Sequence, residues 1–138
     1  FDNLKSKIIE YKIEFPQFTI LTPLPGTVQW MQTKDRLIST EYHLFDFLHS
    51  VLPTRLQPRA FYEQYASLWR TVGGGGLDRA RKMIQEVSTT RESVMRFIKQ
   101  YKTLSDVETY QGGIELLGRG MAAARAGKRV PAGVILGS

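Results

Sequence analysis

Residues 18–30 run FTILTPLPGTVQW. Apolar and β-branched residues lead into a Pro-Leu-Pro-Gly-Thr break, and an amphipathic segment bearing an aromatic follows. Gln17 to Thr22 is short, rich in β-formers and apolar on both faces, which predicts a strand buried between layers. Pro23 and Pro25 stop that strand, because proline has no N–H to give to a ladder. Thr27 or a neighbour then caps a helix reaching to about Asp35, with Val28, Trp30 and Met31 as its apolar residues. Strand, turn and helix together make a βα unit. A lone buried strand needs neighbours, since unpaired backbone groups in an apolar setting cost on the order of a few kcal/mol each. Nothing upstream supplies a sheet.

Working outward, Leu4, Ile8, Ile9, Tyr11 and Ile13 recur at near-helical spacing, predicting an amphipathic helix over 3–14 that Pro16 ends. Tyr42 to Leu52 clusters apolar residues without clean alternation and reads either as a strand or as a short helix. Beyond it the chain is helical. Phe61, Tyr65, Leu68, Trp69 and Val72 share one face of a helix over 58–71, with Pro58 in its first turn. Gly73 to Gly76 breaks it, and Leu77, Ala80, Ile84 and Val87 give the next. Thr89-x-x-Glu92 is a capping box opening a third, with Val94, Phe97, Ile98 and Tyr101 on one face. Ser105-x-x-Glu108 opens a fourth, bearing Tyr110, Ile114, Leu117 and Met121 and weakened by Gly112, Gly113, Gly118 and Gly120. The fold class expected is α+β, mostly helical. Residues 1–53 form the βα portion, 54–130 a helical extension and 131–138 a poorly ordered tail.

The chain has 138 residues, 42% of them hydrophobic, enough for a packed core. No window approaches the roughly 18 apolar residues a membrane span requires. The first residue is Phe1, with no signal-like segment behind it, so a piece of something longer is expected. There is no cysteine, which excludes disulfides and thiolate-held zinc or iron–sulfur sites within this chain and fits a cytoplasmic setting. Net charge is +6 and unevenly placed: residues 1–53 carry five Lys/Arg against six Asp/Glu, residues 54–138 fourteen against seven. Such a basic half can meet anionic lipid, nucleic acid or an acidic partner, or be solvated.

Few constellations carry chemistry. The glycine run before LDRARK lacks a phosphate loop's spacing and a preceding strand, and reads as a linker, natural or joined by engineering. His43 and His49 flank Asp46, but neither a helix nor a strand converges two imidazoles at that spacing, so no metal site is expected. His49 as a hydrogen-bonding or proton-carrying group stands beside a structural histidine. Arg91, Arg96, Lys99 and Lys102 lie opposite an apolar stripe, the pattern of a solvated helix face rather than of a nucleic-acid surface.

The stretch from Phe18 to Arg70 resembles the C-terminal part of cobalamin-binding radical S-adenosylmethionine enzymes, of the hopanoid C-3 methylase type or the anaerobic magnesium-protoporphyrin IX monomethyl ester oxidative cyclase type. Thr22-Pro23-Leu24-Pro25-Gly26-Thr27 and Leu52-Pro53-Thr54-Arg55-Leu56 carry the resemblance. It implies that 17–22 is the last strand of a partial α/β barrel and 3–14 the helix before it. Thr22, Pro25, Gly26 and Thr27 would then line the cofactor cleft at the strand's C-terminal end, with His49 and Arg55 as outer, substrate-facing residues. The family's S-adenosylmethionine, four-iron four-sulfur cluster and cobalamin are implied for the parent. The chain alone is expected to hold none of them, because the three-cysteine cluster motif and the cobalamin-binding region are missing, and it is expected to contribute no catalytic residue. The partners implied are the N-terminal remainder of the parent and an apolar substrate or membrane surface, which leaves peripheral membrane attachment open. Self-association through an unpaired strand edge is a further expectation. The competing reading is a basic helical module that docks a protein, an anionic membrane surface or nucleic acid.

Overall fold

The computed structural model of the chain describes residues 1–13, 16–73, 82 and 90–128. Among them are helices α1 (Asp2–Glu10), α2 (Val28–Thr33), α3 (Pro58–Gly73), α4 (Arg91–Leu104) and α5 (Gln111–Arg125), with 3-10 turns at Lys34–Arg36, Tyr42–Leu44 and Val107–Tyr110. The described residues are mostly helical. Apart from Gly73, which ends α3, the glycine run lies outside the described residues. So do the helix expected through Leu77, Ala80, Ile84 and Val87, the capping residue Thr89, and the tail 131–138.

No described residue lies in a strand, which corrects the expectation for Gln17 to Thr22. Across to Phe47, Ile20 makes a single hydrogen bond, its N–H donating to the Phe47 carbonyl at 2.7 Å. A strand needs a ladder, and the described residues offer none. The segment still alternates: Phe18, Ile20 and Thr22 are buried, Thr19 and Leu21 exposed. Leu21 is 64% exposed, so the expectation of burial on both faces fails with the strand. Tyr42 to Leu52 is likewise neither strand nor regular helix beyond its 3-10 turn.

The chain divides into two compact units, residues 1–18 with 62–110, and residues 19–61 with 111–138. The first is organised by aromatic rings. Tyr62, Tyr65, Leu68, Trp69 and Val72 are buried along α3, with Tyr62 taking the place expected for the half-buried Phe61. The Trp69 ring meets Phe18 edge-on at 4.9 Å and Tyr101 of α4 at 5.4 Å, while Tyr62 stacks on Tyr110 at 5.4 Å. Tyr65 donates its hydroxyl to the Phe18 carbonyl at 2.9 Å, and Tyr110 donates to the Leu104 carbonyl at 2.8 Å. Burial, then the neighbouring Tyr65 and Tyr62, push the Tyr110 phenol above the ordinary tyrosine range.

Caps set the helix ends of this unit. α1 stops at Glu10, short of Pro16, because Lys12 turns left-handed (φ 50°). Lys12 N–H then donates to the Ile9 carbonyl and Ile13 N–H to the Ile8 carbonyl, a Schellman closure. α4 is capped by Thr90, whose hydroxyl accepts from Ser93 N–H at 3.3 Å. Ser105 does not open the following helix. Its hydroxyl donates back to the Tyr101 carbonyl at 2.6 Å and closes α4, and Asp106 takes the cap by accepting from Glu108 N–H at 3.0 Å. The expected inner face of α4 holds, with Val94 buried and Phe97, Ile98 and Tyr101 half-buried, and Arg91, Arg96, Lys99 and Lys102 are exposed.

The second unit has a core of Trp30, Leu37, Phe45 and Val51, against which Leu44 and Leu52 pack. Ile38 N–H donates to the Val51 carbonyl at 3.0 Å, tying the two sides of that core. α5 contributes the fully buried Leu117 and ends in a second Schellman closure, with Gly127 at φ 74° and Lys128 N–H donating to Ala123. Its glycines are more than weak points for a helix. Gly120 lies hard against Ile38, where any larger residue would collide.

Candidate functional site

The Pro-Leu-Pro-Gly-Thr break folds as its chemistry dictates. Thr27 N–H donates to the Leu24 carbonyl at 3.2 Å, closing a four-residue turn with Pro25 and Gly26 at its centre. Gly26 has φ 84°, the value the third position of a type II turn requires, and Pro25 presets the second. Thr27 is then the N-cap of α2: its hydroxyl accepts from Trp30 N–H at 3.1 Å and donates to the Leu24 carbonyl at 2.7 Å. Thr22 is buried and donates its hydroxyl to the Ile20 carbonyl at 3.0 Å.

This assigns roles within the expected quartet. The hydroxyl protons of Thr22 and Thr27 are both spent inside the protein, so neither is available as a donor to a ligand. Gly26 differs: a Cβ built on it would meet nothing within 4 Å. The glycine is there for its positive φ, and its bare, exposed face is where a ligand could approach the backbone. Around it, two of the three apolar residues expected on α2 are exposed, Val28 at 74% and Met31 at 65%, while Trp30 is buried.

His49 belongs to a tight local array. Asp46 Oδ1 accepts from the N–H groups of Leu48 and His49, each at 2.9 Å, and Oδ2 lies 2.9 Å from His49 Nδ1. Partial burial alone would push the Asp46 carboxyl up, but the two backbone N–H groups and the His49 ring outweigh it and hold the carboxyl below its ordinary value. Between them Phe47 takes φ 64°, a left-handed conformation rare for a bulky residue. Its carbonyl receives the Ile20 N–H. The turn and the histidine loop are thereby joined, from Thr22 through Ile20 to Phe47. Arg55 is exposed and is not part of this array; its neighbour Thr54 donates to the Leu56 carbonyl at 2.7 Å.

The sequence presents Asp46 only as a carboxylate between two histidines, and the array it forms with His49 is a candidate site that the sequence does not announce. The Asp-x-x-His spacing was visible, but its meaning depends on Phe47 turning left-handed, for which no side-chain signal exists. His43 is separate, 3.5 Å from Glu41 and well exposed. Among the described residues no group of three or more His, Asp or Glu could hold a metal ion, and no helix is long and apolar enough to cross a membrane.

Two curated proteins are similar to part of the chain. One is the hopanoid C-3 methylase of Methylococcus capsulatus, 40% identical over 58 residues, covering 40% of this chain and 11% of that protein. The other is the bacteriochlorophyllide d C-12(1)-methyltransferase of Chlorobaculum tepidum, 35% identical over 69 residues, covering 49% of this chain and 15% of that protein. The chain thus matches under a sixth of the length of either relative. No protein-family model matches the chain, and no solved structure matches it.

Proposed function

We propose that this chain is the C-terminal portion of a radical S-adenosylmethionine enzyme of methyl-transferring type. The observation that carries the reading is the local similarity to two proteins both named for methylation, one of a hopanoid and one of a bacteriochlorophyllide. The segment from Phe18 to Thr22, whose burial alternates, becomes the last strand of a partial barrel when the rest of the parent supplies its ladder partners. The Leu24–Thr27 turn then borders the cofactor and substrate cleft at that strand's C-terminal end.

Within that cleft the residues of this chain bind and position. Gly26 lets a ligand approach the backbone where a side chain would stand in the way, Pro25 fixes the turn that presents it, Thr27 braces the turn through the Leu24 carbonyl, and Thr22 holds the segment leading into it. His49 and Arg55 lie on the substrate side. An iron–sulfur cluster does not fit here, because the chain has no cysteine to hold it. That cofactor, like cobalamin, belongs to the remainder of the parent, and S-adenosylmethionine is shared with it.

The test is made in the full-length parent protein, reconstituted without oxygen. Formation of 5′-deoxyadenosine from S-adenosylmethionine is expected, and replacing Gly26 by Val should weaken cofactor or substrate binding while the protein stays folded. No cleavage of S-adenosylmethionine would overturn the reading of the family. Cleavage and methyl transfer unchanged in Gly26→Val would remove the turn from the site.

A further inference from the structure

We propose that Asp46 is a positioning residue that fixes the His49 ring with its proton on Nδ1, leaving the lone pair of Nε2 to accept a hydrogen bond or proton from a hydroxyl or N–H group of the bound ligand. The ligand-facing role rests on the reading of this region as part of an enzyme cleft; the state of the ring does not.

The geometry fixes the proton on one of the two ring nitrogens. An ionised carboxylate only accepts hydrogen bonds. Asp46 is held ionised by the donors gathered on it, two backbone N–H groups on Oδ1 and the ring on Oδ2. A nitrogen 2.9 Å from Oδ2 must therefore carry the proton. In a neutral imidazole the other nitrogen is then the acceptor. Among the described residues Nε2 has no hydrogen-bond partner, and the His49 side chain is 30% exposed, covered enough to be held and open enough to be met. His43 shows the contrast: 72% exposed, with only a 3.5 Å approach to Glu41, it is fixed by nothing.

The backbone supports the assignment. A left-handed backbone is unfavourable for a bulky L-residue such as Phe47, and it is what lets Asp46 reach both following N–H groups and the ring at once. The Ile20 N–H on the Phe47 carbonyl holds the kink and sets it beside the segment that ends at Thr22. Strain maintained by that many bonds, next to an oriented imidazole, marks a site more than a loop.

The experiment is 15N NMR of the histidine rings in the intact chain, paired with acylation by diethyl pyrocarbonate, which attacks at an imidazole lone pair. The expected result is a pyrrole-type Nδ1 and pyridine-type Nε2 in His49, with acylation at Nε2. Asp46→Asn separates positioning from structure. Its amide oxygen still accepts from Leu48 and His49 N–H, but an NH2 group now faces Nδ1, so the ring should invert to the Nε2–H form and Nε2 acylation should fall several-fold, with His43 unchanged. A wild-type ring protonated on Nε2, an Nε2 that does not react, or a tautomer unmoved in a folded Asp46→Asn protein would each overturn the proposal. The wild-type measurements decide it even where the variant fails to fold. None of these readouts needs a cofactor or substrate, so failure here is distinct from absence of S-adenosylmethionine cleavage in the parent.

Discussion

Gly120 on α5 and Ile38 are packed so closely that a methyl group on the glycine would overlap Ile38 Cβ and stand 2.9 Å from its Cδ1. Replacing Gly in a helix by Ala ordinarily gains about 1 kcal/mol, but forcing a methyl into a filled space costs about 1–3 kcal/mol. Gly120→Ala should therefore lower stability, whereas Gly112→Ala, whose Cβ would meet nothing within 4 Å, should raise it by up to about 1 kcal/mol. Urea melts of both variants check the opposite signs.

At the turn the space is open and the backbone decides. Gly26→Ala meets no neighbour, yet must hold φ 84°, which costs an L-residue about 1–2 kcal/mol. Thr27→Ala removes the cap of α2 and should cost about 0.5–2 kcal/mol, while Thr27→Ser keeps the hydroxyl and most of the stability. Thermal melts that rank Ser above Ala at 27 would confirm the cap; equal melts would not.

These features were open to a reader of the sequence because their causes are local. Pro25-Gly26-Thr27 announces a turn with φ above zero and a helix start, and the apolar spacings of α3 and α4 announce their inner faces. The strand expected at 17–22 had the right composition, but a strand is defined by partners, and none lies among the described residues. α1 is shorter than its apolar spacing suggests because a lysine in the left-handed region leaves no mark in the sequence, unlike the glycine that closes α5. Ser105 carries the signature of a helix start, but its tie to the Tyr101 carbonyl, visible only in three dimensions, makes it the close of α4 instead.

The lowered Asp46 carboxyl makes a prediction about acid. Its contribution to stability is complete above the unfolded value near 3.8 and is lost as pH falls through the lower folded value. Wild-type protein should therefore lose stability more steeply below about pH 4 than Asp46→Ala, which has nothing left there to protonate. Denaturant midpoints for the two proteins between neutral and acid pH would show the curves converging as pH falls.

In the aromatic unit, Tyr65→Phe removes the hydroxyl that satisfies the Phe18 carbonyl in a buried setting. The loss should be about 1–3 kcal/mol, larger than for an exposed tyrosine, because an acceptor is left without its donor. Tyr110 supplies a spectroscopic check: its phenol, shielded by burial and by Tyr65 and Tyr62, should ionise above the ordinary tyrosine range. An alkaline absorbance titration should lose one late-ionising phenol in Tyr110→Phe.

The bonds that shape Leu24 to Met31 all close within four residues of where they start. Loops of that length close in well under a microsecond, and in the folded chain the turn is held by its own local bonds. A molecule arriving at Gly26 later meets a surface whose ordering entropy was lost during folding, and none of its binding energy is diverted into shaping the turn.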